Sequence, residues 1–309
     1  MHGGEGESGV IQQKLTDAGV LYNGSRSQGS ELCIDKYLTG LAIAAIGDEN
    51  ILTAPKKSVP EGVFEAFATE DWQKFWQKLV ADFNAHAFII KPQNDGCSAG
   101  IVRIVSLEDL IKYFTFVKNK AAYIPAGTFA EQNNIIEMPV MANADFLLEK
   151  YIETDVIRIE NQKVIYKKTT GWLEYTVGIM ETHGEYHVFN PSITIADGLV
   201  LSLEEKFQSG TGVNITPPPE TIVPKKMRKL MQAQIKKVAK ALGIANYARI
   251  DFFFNAKTGK MIVIEANTLP GLTPSTVIFH QALAEKPSMS PVDFLERIIL
   301  SASIGRKGN

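Results

Sequence analysis

An α+β fold is predicted by three features of the 309-residue sequence. Helical periodicity alternates with short apolar strands up to about residue 145, strand patterns that double back through short turns dominate after it, and nothing resembles a Walker A loop. In order, "VIQQKLTDAGV" reads as a short helix ending near Gly19, "LYNGS" as a strand and turn, and "SQGSELCIDKYLTGLAIAA" as one longer helix. "DWQKFWQKLVADF" is an amphipathic helix leading into the buried strand "AFIIKP". The small-residue loop "NDGCSAG" links that strand to "IVRIV", and "LEDLIKYFTFV" is again helical. "DFLLEKYI", "DVIRI", "KVIYKK" and "EYTVGIMETHGEYHVFN" follow as strands, the last a hairpin turning at His183-Gly184. "PKKMRKLMQAQIKKVAKALG" carries Met227, Leu230, Met231, Ile235, Val238 and Leu242 at helical spacing, so its basic residues form a solvated face. Residues 247–268 form a hairpin, and two helices close the chain, "SPVDFLERIILSA" being the last. No internal repeat or low-complexity tract is visible.

Composition narrows the function. A 45% hydrophobic and 21% charged chain of this length buries a large core in two or three lobes. A net charge of -2 gives no reason to expect nucleic acid or an acidic membrane as a partner. The longest apolar stretch, "LTGLAIAAIG", is too short to span a bilayer. Two cysteines, Cys33 and Cys97, make neither a metal cluster nor a disulfide framework and suit a reducing compartment. The chain opens on "MHGGEGESG" with no strand before it, which reads as the middle of a domain.

The chemistry-bearing stretch is "IVIEANTLPG". Glu265 and Asn267 share one strand face, and "YARIDFFF" upstream carries Arg249 and Asp251 on one face of its own. If Ala256–Gly259 is a four-residue loop, Asp251 lies opposite Ile264; a bulge at Gly259 would set it opposite Glu265. Either register brings two carboxylates and an amide oxygen within one step, where a cation between them would relieve their repulsion. An all-oxygen set suits Mg²⁺. For any one of the three residues, a strand-end position satisfied by backbone and water is the commoner role; the set of three beside Arg249 argues for the cation. Lys91, ending the strand before "NDGCSAG", is placed to meet a phosphate, and Lys206 precedes a glycine-rich segment of lid-like composition.

These motifs resemble the D-alanine:D-alanine ligases of the ATP-grasp superfamily. The resemblance runs from "HGGEGESG" through "KPQNDGCSAG", "LLEKYI", "EYTVGI", "EEKF" and "RIDFFF" to "IEANTLPGLTPST", with wording most like the plant-type branch. It implies an ATP-grasp fold with an incomplete N-terminal α/β lobe: a remnant over 1–24, a central lobe over 25–152 and a C-terminal lobe over 153–309. It also implies ATP-dependent ligation of two D-alanines through an acyl phosphate for peptidoglycan precursor synthesis. A non-ligating ATP-binding module, or ligation of another carboxylate and amine pair, are the alternatives.

Site residues follow from the resemblance one at a time. Asp251, Glu265 and Asn267 would hold two Mg²⁺ ions, or Mn²⁺ in their place, against the phosphates of ATP. Lys36, Lys91 and Lys206 would contact phosphates, covered by the backbone of Cys97, Ser98 and Ala99. Glu149 and the Lys150–Ile152 backbone would read adenine, and Glu174 the ribose, although the stretch between Glu149 and Glu174 is longer than in the common bacterial form. Arg249 and the Gly271 N–H would form the oxyanion hole, with His2, Glu7 and Ser98 in the catalytic set. Thr276 and Val277 would take the second substrate's carboxylate. Cys97 and Phe207 replace a serine and a tyrosine common in the family; Phe207 implies tolerance for a hydroxy acid as second substrate. The expected partners are D-alanine and ATP, without nucleic acid or membrane. A homodimer is allowed, and the expected location is the cytoplasm, or the plastid stroma if a transit peptide lies upstream.

Overall fold

A computed structural model describes residues 4–94, 99–139, 145–161, 163–195 and 213–304. These fall into two compact units. One takes the described residues of 4–53, 153–195 and 213–304; the other takes those of 54–152.

The first unit is built on a seven-stranded sheet. Its strands are β1 (Ile51–Thr53), β10 (Trp172–Thr182), β11 (Glu185–Val188), β12 (Ser192–Ile195), β13 (Val213–Ile215), β14 (Tyr247–Asn255) and β15 (Lys260–Asn267). The order is β1-β15-β14-β10-β12-β13 with β11 on β10, and β1 alone pairs in parallel. Strand alternation makes the core: Ala248, Ile250, Phe252 and Phe254 of β14 are fully buried, and Tyr175 of β10 stacks on Phe252 at 5.6 Å. Helices α1 (Val10–Asp17), α2 (Ser27–Ile34), α3 (Lys36–Ala44), α6 (Lys225–Ala241), α7 (Val277–Leu283) and α8 (Pro291–Ile304) belong to this unit.

On α6, Met231, Ile235 and Val238 are buried, whereas Leu230 from the expected stripe is exposed. Lys236 and Lys237 reach out to Glu185 (2.9 Å) and Asp48 (2.7 Å), so the basic face is solvated as expected. A separate hairpin, β8 (Val156–Glu160) and β9 (Lys163–Lys167), is tied at its base by Asp155. That carboxylate accepts from the Thr169, Thr170 and Gly171 N–H groups (2.8, 2.7 and 2.7 Å) and from the Tyr166 hydroxyl (2.7 Å).

Two local expectations need correction. The stretch expected as a strand at "LYNGS" forms none: Gly24 adopts φ 98°, and its N–H donates to Asn246 Oδ1 at 2.9 Å rather than to a ladder. The single helix expected after it is two, α2 and α3. Asp35 sits between them in extended conformation and caps α3, accepting from the N–H groups of Tyr37 (2.8 Å) and Leu38 (2.9 Å). A side chain that satisfies orphan donors this well holds its own residue out of the helix. Cys33, buried on α2, has its thiol pushed up to about 12 by burial, which disfavours the nucleophilic thiolate.

The second unit has a four-stranded antiparallel sheet, in the order β2 (Lys56–Val59), β7 (Phe146–Lys150), β3 (Phe88–Pro92), β4 (Val102–Ile104). A two-stranded ribbon, β5 (Tyr123–Ile124) with β6 (Ile136–Glu137), accompanies it. Helices α4 (Thr69–Phe83) and α5 (Leu107–Lys118) supply Leu79, Leu110, Tyr113 and Phe114 to a core shared with Phe88, Ile90, Phe146 and Leu148. Those four strand residues share one face of the sheet by alternation, which leaves the other face to Lys56, Lys91 and Glu149. Among the described residues no helix is long and apolar enough to cross a membrane.

Candidate functional site

In the larger sheet, Asp251 pairs with Glu265 and Arg249 with Asn267. The hairpin loop is the four-residue one, with Asn255 paired to Lys260, and the bulge lies at Ile264 rather than Gly259: Asp251 faces Glu265 while Phe252 faces Val263. Gly259 is occupied by the turn itself, at φ 74° with its N–H on Asn255 O (2.8 Å). Met261 and Val263 point into the core. Were Ile264 a regular member of the ladder, strict alternation counted from them would send Glu265 inward too; as the extra residue of a bulge it leaves Glu265 on the face of Asp251.

Asp251 is held from two sides. Thr176 on β10, directly opposite, donates its hydroxyl to Oδ1 at 2.5 Å, and Arg249 donates Nε to Oδ1 (3.3 Å) and Nη2 to Oδ2 (3.4 Å). Burial alone would lower the Arg249 pKa, but Asp251, Glu265 and Glu7 outweigh it and raise the value, so the guanidinium stays charged. Glu7 is buried and, after burial itself, is the group that raises the Tyr247 phenol to about 12. The structure thus draws Glu7 into the electrostatic surroundings of Arg249. Glu174 lies on this same sheet face, two residues from Thr176, and is half-buried.

The donor chemistry fits a divalent cation. Two carboxylates face each other across a strand pair, with a carboxamide two pairs along on the same face, and the buried Asn267 Nδ2 has no hydrogen-bond partner. A carboxamide with an unpartnered end is able to turn its oxygen to that side without breaking a bond there. Among the described residues no group of three or more His, Cys, Asp or Glu gathers; the set has only two carboxylates.

Farther along the unit, Thr276 and Val277 stand at the start of α7, both half-buried, and Gly271 lies in the loop after β15. The anchor of α7 is Gln281, a residue that sequence reasoning missed. Its Oε1 accepts from the Gly178 N–H (2.7 Å), and its Nε2 donates to Thr176 O and Ser192 Oγ (both 2.9 Å). A side chain at Gly178 would place its Cβ 2.5 Å from Ile278 Cγ1, so the glycine is what admits α7 to β10. The available signal was a polar residue on the apolar stripe of "VIFHQAL". Lys36, in the first turn of α3, is also buried in this unit.

In the other unit, Glu149 is the centre of a buried ionic cluster. Lys56 Nζ stands 2.7 Å from Oε1 and Lys91 Nζ 2.6 Å from Oε2, with all three side chains less than a tenth exposed. Lys56 is directly opposite Glu149 on β2, and Lys91 is one diagonal step away on β3. Burial pushes the Glu149 carboxyl up, but Lys91 and Lys56 overcome it and hold it below the usual range. The Lys150 and Tyr151 N–H groups are given to Pro55 O (2.9 Å) and Ala87 O (3.0 Å). His2, Cys97, Ser98, Lys206 and Phe207 lie outside the described residues.

Comparisons with known proteins show what the chain is similar to. The family model described as "D-ala D-ala ligase C-terminus" matches residues 140–300. A D-alanine–D-alanine ligase of Geobacter sulfurreducens is 26% identical over 308 residues, covering 100% of this chain and 77% of that protein. One of Lacticaseibacillus casei is 26% identical over 285 residues, covering 92% of this chain but only 62% of the relative. Among solved structures, the D-alanine–D-alanine ligase of Bacillus anthracis complexed with ATP superposes with a TM-score of 0.65 at 18% identity, covering 99% of this chain and 78% of that one. The VanG D-Ala:D-Ser ligase of Enterococcus faecalis gives 0.67 at 18%, covering 97% and 71%. The shared fold is the expected ATP-grasp fold.

Proposed function

Because the chain belongs to the D-ala D-ala ligase C-terminus family, whose model matches more than half of it, we propose that it is an ADP-forming ligase that joins two D-alanines for peptidoglycan precursor synthesis, in the cytoplasm. The observation that carries this reading is the juxtaposition on one sheet face of Arg249 with the Asp251, Glu265 and Asn267 donor set, inside the matched segment.

Asp251, Glu265 and Asn267 would hold Mg²⁺, which when bound offsets the charge of the nucleotide phosphates so that an anionic substrate can approach. The first D-alanine carboxylate then attacks the γ-phosphate, releasing ADP and forming an acyl phosphate. The amine of the second D-alanine attacks the acyl carbon, and phosphate leaves as the peptide bond forms. Arg249, permanently charged and oriented by Asp251, would stabilise the tetrahedral oxyanion together with the Gly271 N–H. Thr276 and the Val277 N–H would receive the second substrate's carboxylate. Lys91 and Lys36 are assigned to phosphates, Glu149 and the Lys150–Ile152 backbone to adenine, Glu174 to ribose. His2, Glu7, Ser98, Cys97, Lys206 and Phe207 keep the roles that the resemblance gives them.

ADP release measured with and without D-alanine, together with product analysis, tests the reading. D-alanine-dependent ADP formation matched by D-alanyl-D-alanine is expected. ADP release that ignores D-alanine, with no dipeptide, would overturn it.

A further inference from the structure

The ionic cluster at Glu149 holds one residue that the proposed reaction has not used. Lys56 is the first residue of β2, its ammonium is 2.7 Å from Glu149 Oε1, and its side chain is 7% exposed. Lysines are seldom buried this deeply without a task or a partner that compensates desolvation. Glu149 is such a partner, but it also pairs with Lys91 through its other oxygen at 2.6 Å. The carboxylate therefore divides one negative charge between two ammonium groups. Arg103 on β4, on the same face as Ile89 and Glu149, is matched separately, its Nη1 lying 3.2 Å from Glu131.

We propose that Lys56 is a positioning residue that shares Glu149 with Lys91 and thereby keeps the Lys91 ammonium electrostatically available to a nucleotide phosphate. The inference rests on the reading of Lys91 as a phosphate-contacting residue. With Lys56 in place, Lys91 meets only part of the field of Glu149. With Lys56 gone, the full charge of Glu149 falls on Lys91, and the pair is neutral toward an incoming anion. The register explains why the device works from this position: Lys56 and Lys91 approach the carboxylate from the strands on either side of β7, so each takes one oxygen and neither displaces the other.

A positioning role of this kind acts on the phosphates and not on the base. The test is therefore the ratio of affinities for ATP and adenosine, measured by calorimetry on the full chain in one Mg²⁺ buffer. Lys56→Met is expected to lower that ratio by about tenfold, the scale of one charge interaction at a partly screened site, with ADP affected less than ATP. Adding Glu149→Gln to Lys56→Met removes the charge that neutralises Lys91, and the ratio is expected to return toward that of the parent, even if both ligands bind more weakly through loss of the Glu149 contact to the base. If Lys56→Met does not fold, Lys56→Gln keeps a hydrogen bond to Glu149 without the charge and is expected to lower the ratio similarly. An unchanged ratio in the single variant, or a lowered ratio that the double variant does not restore, overturns the charge-sharing role. Failure of the parent to bind ATP is a different result: it overturns the nucleotide reading itself.

Discussion

In the larger sheet, Asp251 and Glu265 come to face each other through an irregularity, the extra residue Ile264; in the four-stranded sheet, Lys56, Glu149 and Lys91 meet through an unbroken register. Both sheets turn one face to an apolar core and gather charge on the other, yet the first gathers carboxylates around Arg249 and the second ammonium groups around Glu149. The difference teaches where each charge pattern comes from. A regular ladder brings together only what alternation already placed on one face, whereas a bulge makes one strand change faces part way along. β15 needs that change because Met261 and Val263 serve the core and Glu265 serves the site.

The comparison breaks most readily at Glu149. Glu149→Ala leaves two buried ammonium groups without their shared counter-ion and is expected to cost about 3–5 kcal/mol of stability at pH 7. Because the lysines lower the folded-state pKa of Glu149, its stabilising contribution is fully present above the ordinary carboxyl range and is lost as pH falls through the lowered folded value. Urea denaturation of parent and variant at pH 7 and at progressively lower pH should therefore show their difference shrinking toward acid. A constant difference would mean that Glu149 acts by packing rather than by charge.

Arg249 is the counterpart in the larger sheet. Arg249→Met keeps most of the side-chain volume but removes both the donor assigned to the oxyanion and the partner of Asp251. D-alanine-dependent turnover is expected to fall about 10²–10³-fold, the usual effect of losing one oxyanion donor. ATP affinity should change far less. Steady-state kinetics check the split, and a variant with near-parent turnover would move the oxyanion role elsewhere.

How far these two sites could be read in the sequence follows from the same contrast. The Asp251–Glu265 pairing was one of two readable registers because the strands are joined by a short loop, and the carboxylate and carboxamide stood out in an apolar run. In the sequence, the reading that pairs them needs a bulge and offers Gly259 for it, since glycine is the usual marker, but the turn consumes that glycine and the extra residue is a β-branched one that carries no signal. Lys56 was missed for a different reason. Its partner Glu149 is brought to it by pairing between β2 and β7, strands far apart in sequence, and nothing local announces that contact. Asp35 shows a third case: the apolar periodicity on either side of it favours one continuous helix, and its capping role appears only with the extended backbone between α2 and α3.

The smallest expected effect is the sharpest test of the bulge. Deleting Ile264 leaves seven residues from Lys260 to Asn267, and these can keep every partner of the present register: Val263 with Phe252, Glu265 with Asp251, Ala266 with Ile250, Asn267 with Arg249. The two faces stay as they are, because paired residues on a regular antiparallel ladder point the same way. What disappears is the local kink and extra twist that a bulge imposes on its strand. If the faces matter most, the deletion variant folds with a loss of about 1–2 kcal/mol, within the ordinary range for a single substitution, and keeps D-alanine-dependent turnover within about tenfold of the parent, one such energy unit in rate. If the bulge instead sets the aim of Glu265 finely, stability changes as little but turnover at limiting Mg²⁺ collapses and is recovered in part at high Mg²⁺. A deletion variant that does not fold would show that Ile264 fills space the sheet cannot close, and the bulge would then belong to packing rather than to the site.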